Sequence, residues 1–503
     1  MRKVASGGAV ILALLSASVA ATARAQHATP APPAPVPAPT DAAAPLPVPV
    51  ELLQVRPGGL TADQAGARAA TSSWNAKASE ETLRGAAARV DEAWASFLPR
   101  LTGVAKYTRL SEFSPPSVFS APGNLVATLQ PPGPFPVVPG TTLVSAPINF
   151  SFPLVFNNWL LQAGVTVPIS DYFLRIDQNY SAATRSQDAA RWDVVGARAA
   201  SSTSGQVAYY TWLRARGAVI VAVQALNDQK THLRDARNQF TVGNASKADV
   251  LRAETAAASA ELVLERAKNL ADVSEKQLRV AIHAGDDEVT LPGEDLETPI
   301  APVQGNVKQL TLEALTARPE VKSADANAAA AREQAAAARA GRYPSLSAFA
   351  DAIEANPNPR YFPATQVWNG TWDVGAQLTW SPNDVPLASG SAADAESRAA
   401  VIQANKNNVR DGIEVEVTQT WQDVRVADFA IDASTRELAS AEEAYRVARE
   451  LFNNGRGTST TLTDAETDLT RARLDLLNAK ADVRIAHIRL THALGRDAKA
   501  SAP

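Results

Sequence analysis

Residues 452–495 read FNNGRGTSTTLTDAETDLTRARLDLLNAKADVRIAHIRLTHALG. Along this stretch Leu462, Leu469, Leu476, Val483 and Leu490 form one row, and Ala465, Ala472, Ala479, Ala486 and Ala493 form the row three positions on. An apolar period of seven is the seam of supercoiled helices, and alanine throughout one row lets helix axes approach closely. The seam suits helices packed side by side in a cylinder. Taken alone, it suits a two-stranded coiled coil equally well.

The stretch is the second copy of an earlier one. Setting Phe240-Thr-Val-Gly243 over Phe452-Asn-Asn-Gly455 fixes an offset of 212, which also matches Ala253-Glu254-Thr255 with Ala465-Glu466-Thr467, Leu262 with Leu474, Ala267-Lys268 with Ala479-Lys480, Leu278 with Leu490 and Ala281 with Ala493. Copy one carries the same seam in Val250, Ala257, Leu264, Ala271 and Leu278, beside Ala253, Ala260, Ala267, Ser274 and Ala281. Upstream, Leu98-Pro99-Arg100-Leu101 resembles Tyr343-Pro344-Ser345-Leu346 at an offset of 245, so copy one holds about 33 extra residues between these landmarks. The excess falls in a Pro-, Gly- and Ser-rich loop from about Ser111 to Pro147.

Between the helical segments the period changes to two. Trp372-Asp-Val-Gly-Ala-Gln-Leu-Thr-Trp380 and Leu161-Gln-Ala-Gly-Val-Thr-Val167 alternate apolar and polar residues, the pattern of two-faced strands long enough to cross a bilayer when tilted. Strands are expected near 99–111, 157–168, 343–355 and 370–381. No aromatic residue lies between Phe240 and Tyr343, whereas seven lie from Tyr343 to Trp380. Trp159, Tyr172, Tyr343, Trp368, Trp372 and Trp380 gather near strand ends, as an aromatic girdle at a membrane interface would. Phe150, Phe152, Phe156, Tyr361 and Phe362 join them. Four strands cannot close a barrel, and an open edge cannot sit in lipid, so closure requires other chains.

Composition removes several function classes. With 48 Lys plus Arg against 52 Asp plus Glu, the formal charge of −4 gives no reason to expect nucleic acid. The absence of cysteine excludes disulfides, thiolate metal sites and a lipidated cysteine, and five scattered histidines offer no helical i, i+4 metal pair. No Gly-rich phosphate loop or nucleophile elbow occurs, so neither an enzyme nor a cofactor is expected. Arg2 and Lys3, an apolar stretch from about Val10 to Ala21, and Ala23-Arg24-Ala25 read as a signal peptide over 1–25. A Pro/Ala-rich lead follows over 26–55, and the main domain spans 56–496 in two repeats, about 56–298 and 299–496. Residues 497–503 form a short tail.

This arrangement resembles the TolC-type outer-membrane factor family of Gram-negative bacteria. The resemblance rests on the signal peptide, the duplication, Arg318-Pro319-Glu320-Val321, Tyr343-Pro344-Ser345-Leu346 and the terminal Ala493-Leu494-Gly495. It implies an α+β membrane protein: a homotrimer with four strands per chain in a shared transmembrane β-barrel, a long periplasmic α-helical barrel, and a collar near Asp286 to Gln309 and the chain ends. The implied function is an outer-membrane exit duct for efflux or type I secretion. It is coupled through a periplasmic adaptor (membrane fusion) protein to an inner-membrane transporter of RND or ABC type. The resemblance places gate residues at Asp249 and Asp464, with Thr461, Arg456 and Phe452 where the family's other gate acid, arginine and tyrosine would stand. It places adaptor contacts at the tip turns, Gly243 and Asn244, Gly455, Arg456 and Gly457. A periplasmic coiled-coil adaptor or scaffold without a membrane barrel is the alternative.

Overall fold

A computed structural model describes residues 45–112, 155–285, 290–362 and 364–500. The expected signal peptide, the lead up to residue 44, most of the Ser111–Pro147 loop, Phe150, Phe152 and residues 286–289 of the expected collar lie outside the described residues.

A 3₁₀ turn at Val50–Leu52 precedes α1 (Ala62–Ser72), α2 (Trp74–Ala95), β1 (Arg100–Arg109) and β2 (Asn157–Val167). The short α3 (Ile169–Asp171) and a π turn lead into α4 (Asp177–Thr241) and α5 (Lys247–Ile282). Copy two repeats the plan with α6 (Val307–Ala317), α7 (Pro319–Arg339), β3 (Ser345–Asn356), β4 (Asn369–Thr379), α8 (Asp384–Asn453) and α9 (Ser459–Ala493), followed by α10 (Arg496–Ala500). At 1.5 Å per residue, α4 and α8 are each roughly 100 Å long. No described helix is long and apolar enough to cross a membrane.

Local signals explain the boundaries. Thr61 and Asn306 form capping boxes with Gln64 and Gln309 at the starts of α1 and α6. Pro319, which needs no backbone donor at a helix start, opens α7 directly after α6 ends. The seam residues read from the sequence turn inward: Leu462, Leu469, Ala472, Ala479, Val483, Ala486, Leu490 and Ala493 are buried, as are Ala253, Ala257, Leu264, Ser274 and Leu278. The core is therefore a series of small clusters strung along the sheaf, in keeping with helices that meet through alanine rows.

The sheet is antiparallel in the order β1-β2-β3-β4, so copy one's hairpin joins copy two's through β2 and β3. Representative register pairs are Leu101 with Val165, Val165 with Ala350, and Ala350 with Val374.

Two features of the fold were not expected. The last part of the lead is fastened down: Leu46 N–H donates to Asn227 Oδ1 at 2.9 Å, and Asn227 Nδ2 donates back to the Leu46 carbonyl at 2.8 Å. Val48 and Leu52 pack on Val219, Ala222, Val223 and Leu226 of α4. A few valines and leucines placed along a helix groove thus order a segment whose composition suggests a free tether. The second feature joins the two terminal motifs of copy two. Gly495, at φ +68°, lies so close to Arg318 that a Cβ there would come within 3.1 Å of its backbone. Arg318 is buried and bonds Glu320 at 3.0 Å and Glu416 of α8. Burial works to lower its pKa, but the two carboxylates overcome this and raise it. In the collar region Leu60 bridges Pro292, and Leu296 is buried with Tyr209, Tyr210 and Trp212 of α4.

Candidate functional site

Directly opposed residues in a sheet share a face, so the register sorts the side chains. One face carries Leu101, Tyr107, Trp159, Leu161, Val165, Leu346, Ala350, Trp372, Val374 and Leu378. The other carries Arg100, Thr102, Lys106, Gln162, Ser347, Asp351, Thr371, Asp373 and Gln377. Trp372, Val374 and Leu378 are 75%, 70% and 69% exposed in the single chain. An apolar face this open needs a hydrocarbon neighbour. On the polar face Gln162 donates to Asp351 at 3.0 Å, and Arg360 pairs with Asp373.

Aromatic side chains bracket the apolar face. Tyr107 and Trp159 touch at one end, with ring centroids 4.4 Å apart, and Trp368 stands just before β4 there. At the helix end Tyr343 precedes β3 and Trp380 follows β4. Trp372 and Trp380 are separated by about 27 Å of extended strand, close to the roughly 25 Å apolar band of a membrane barrel. Tyr172 is more enclosed, with its hydroxyl donating to the Phe97 carbonyl at 3.0 Å and its ring stacked on Phe97. Among the described residues, β1 and β4 have no partner on their outer edges.

At the opposite end two turns close the long hairpins. Gly243 and Gly455 take φ +81° and +68°, the left-handed conformation that lets the turns reverse. A Cβ on Gly457 would lie 3.0 Å from the Phe452 backbone nitrogen, which explains glycine there and leaves Arg456 as the turn's cation. Gln239 Nε2 donates to the Asn453 carbonyl at 3.1 Å and so joins the turns, while Asn244 Nδ2 donates to Gln239 Oε1 at 3.1 Å.

The gate candidates occupy different environments. Asp249 completes the capping box of α5: its Oδ2 accepts from the Ser246 backbone at 3.0 Å and hydroxyl at 2.7 Å, and Arg252 lies 3.3 Å away. The Ser246 hydroxyl, then its backbone N–H, hold the carboxyl below the usual range. Thr461, its counterpart, stands 2.9 Å from the Thr458 hydroxyl at the start of α9. Asp464 is exposed one turn further on, and no ion pair or hydrogen bond joins it to Asp249 among the described residues. Phe452 is 5% exposed and packs with Ala236, Ala253, Ala448 and Leu462, so it holds the tip from within.

Sequence reasoning missed the residues under Phe452. His232 of α4 is buried, with Nδ1 3.0 Å from Glu466 Oε2 and Nε2 3.1 Å from Ser459 Oγ. Glu466 was visible only as a match to Glu254, and a polar residue just outside a heptad row reads as surface. The one signal was His232 itself, one of only five histidines in the chain.

An open sheet with one apolar, aromatic-bracketed face, carried on helices roughly 100 Å long, defines a channel-forming outer-membrane protein. Residues 68–283 and 310–496 match the outer membrane efflux protein family, to which the chain belongs. It resides in the outer membrane with a large periplasmic part and serves as an efflux channel. The fold is similar to that of the outer-membrane channel OprN, with a TM-score of 0.69, 17% identity, and 86% of this chain and 89% of that one covered. It is similar to CusC, a transmembrane channel, at 0.69 and 17% over 90% and 97%. It is also similar to the outer-membrane protein VceC of Vibrio cholerae, at 0.68 and 19% over 86% and 96%. No curated protein matches the chain.

Proposed function

We propose that three copies of this chain close a twelve-stranded barrel and a continuous helical cylinder, forming a passive duct that acts on its cargo by admission and not by chemistry. The observation that carries this reading is the pair of open edges, β1 and β4, on a sheet whose apolar face spans a membrane thickness. Lipid offers no hydrogen bonds to those edges, whereas the edges of neighbouring copies do. The polar face then lines water, and the helical end, with turns Gly243-Asn244 and Gly455-Arg456-Gly457, reaches into the periplasm as the closable entrance. A periplasmic adaptor docks on those turns and couples the duct to an inner-membrane transporter. Asp464 and Arg456 are the charged groups best placed to meet their copies around the opening, while Asp249 acts chiefly as a helix cap. Native mass spectrometry of detergent-extracted protein, with conductance in planar bilayers, tests the reading: trimers that conduct are expected, and a detergent-free monomer would overturn it.

A further inference from the structure

The duplication makes two seams equivalent, and only one of them is covered within a chain. The long helices pack in the order α5, α4, α9, α8, so the inner seam is α4 against α9. Its equivalent under the repeat is α8 against the α5 of a neighbouring chain. At the level of the collar the inner seam is closed by specific contacts. Arg214 Nη1 donates to Asp482 Oδ1 at 3.0 Å, and Leu477 fills the space above Gly217, its Cδ1 only 2.6 Å from where a Cβ would stand. Beside them Leu213 shares a cluster with the collar residue Leu296, and Lys480 donates to Glu297 at 2.6 Å.

The offset of 212 carries Arg214 to Val426, Asp482 to Leu270, Gly217 to Phe429 and Leu477 to Glu265. A salt bridge has become an apolar pair, and a glycine hollow has become a phenylalanine knob. Val426 and Phe429 of α8, and Leu262, Leu270 and Val273 of α5, are each more than half exposed in the single chain. The three α5 residues recur at helical spacing and form one stripe. Large apolar side chains left open along a stripe need a neighbour, and the repeat says which. What covers Arg214 and Gly217 is α9, so what covers Val426 and Phe429 is the equivalent of α9, which is α5. The two helices run antiparallel, so Val426 falls opposite Leu270, and Phe429, one turn nearer the tip, enters between Leu262 and Leu270. Charges flanking the stripe are engaged within the chain: Lys268 joins Glu265 at 2.7 Å, Arg425 stacks on Trp421 at 5.0 Å, and Asp428 lies 3.8 Å from His487. Toward the tip the same two helices expose Lys247, Arg252 and Glu254, and Glu443, Arg446 and Glu450, so the contact is confined to the collar half.

We infer that Val426 and Phe429 form an apolar lock at collar level with Leu262 and Leu270 of a second copy of the chain, in the register that Arg214 and Asp482 set within one chain. The inference rests on the duct reading and adds where, and by what chemistry, neighbouring chains hold each other. Its test is kept apart from that of the duct. Native mass spectrometry of the unaltered chain decides whether a trimer exists, and its absence would end both. The chain has no native cysteine, so introduced thiols are unique. Val426→Cys with Leu270→Cys, treated in detergent with a short bis-thiosulfonate linker, is expected to give covalent dimers and trimers on non-reducing denaturing gels, because α4 and α9 separate the two positions within one chain. Val426→Cys with Val263→Cys, one heptad or about 10.5 Å out of register, should give at least tenfold less. Equal yields, or linkage confined to monomers, would overturn the inference. A second arm transplants the inner bridge. Val426→Arg and Leu270→Asp should each cut the trimer fraction at a fixed detergent dilution at least tenfold, and the two together should restore it to within twofold of wild type. A double variant no better than the worse single counts against the register. Phe429→Cys labelled by a water-soluble maleimide as fast in intact trimers as in unfolded chain would leave the stripe to another partner and defeat the inference.

Discussion

The two hairpin turns are copies in backbone and opposites in chemistry. Ser246 and Thr458 cap α5 and α9 in the same way, but the third position beyond is Asp249 in one copy and Thr461 in the other. One turn further, Arg252 of copy one faces the register position of Asp464, and exposed Glu254 that of buried Glu466. Duplication preserved the geometry that glycine, cap and heptad impose, and released the polar residues to specialise. Copy one satisfies its acid locally with Ser246 and Arg252. Copy two spends its glutamate on the other hairpin. The tip is thus a place where two equivalent segments hold different jobs, and the sheet, whose copies share one apolar row, is where they do not.

The largest effect that would sharpen this contrast is at the buried contact of His232 with Glu466. His232→Leu leaves Glu466 buried without its partner, at a cost of roughly 3 to 5 kcal/mol. Ala444→Leu, at the matching exposed position, should stay within about 0.5 kcal/mol. Urea unfolding in detergent, followed by far-UV circular dichroism, would compare them, and equal losses would mean that the copies are not specialised. In the sheet, Val165→Lys and Val374→Lys should cost about 2 to 4 kcal/mol each, and equally, because both stand on the apolar face near mid-membrane. Gln377→Lys on the polar face should cost almost nothing. Refolding yield into lipid vesicles is the readout, and tolerance of Val374→Lys beside failure of Gln377→Lys would invert the assigned faces. At the caps, Asp249→Ala removes half of a capping box and should cost about 1 kcal/mol, whereas Thr461→Ala should cost a few tenths.

The smallest effect is the response to pH. Burial raises the Glu466 carboxyl above its ordinary value, opposed by its bond to His232. Its contribution to stability is fully present below the unfolded value, about 4.3, and is lost as pH rises through the raised folded value. His492 follows the same sign at higher pH. Burial lowers its pKa, but the Asp497 carboxylate at 2.7 Å prevails and raises it, so its stabilisation holds below about 6.5 and fades as pH rises through the folded value. Glu466→Gln should flatten the acid part of a melting-temperature profile and His492→Gln the near-neutral part. Unchanged profiles in both would show that neither group titrates differently on folding.

What was legible in the sequence was what repeats. Heptads announced the helices because each turn must bury the same stripe, and strict alternation announced the strands because each face meets one solvent. Leu462 to Ala493 and Trp372 to Leu378 are of this kind. The contact between His232 and Glu466 was not legible, since the two residues are 234 positions apart in the chain. Nor was the strap at Leu46 to Leu52, where Asn227 and two apolar side chains, Val48 and Leu52, do the fastening. Asp249 was visible as an acid at a turn, but only its contact with Ser246 distinguishes a cap from a gate.

The meeting of Gly495 with Arg318 fixes an order in time. Arg318 stands at the start of α7 in copy two, yet a glycine 177 residues further along closes against it. As the chain emerges from an export machine, the start of α7 must wait, its guanidinium paired with Glu320 alone, until everything between has followed it out. Such long-range closure folds slowly and exposes sticky intermediates.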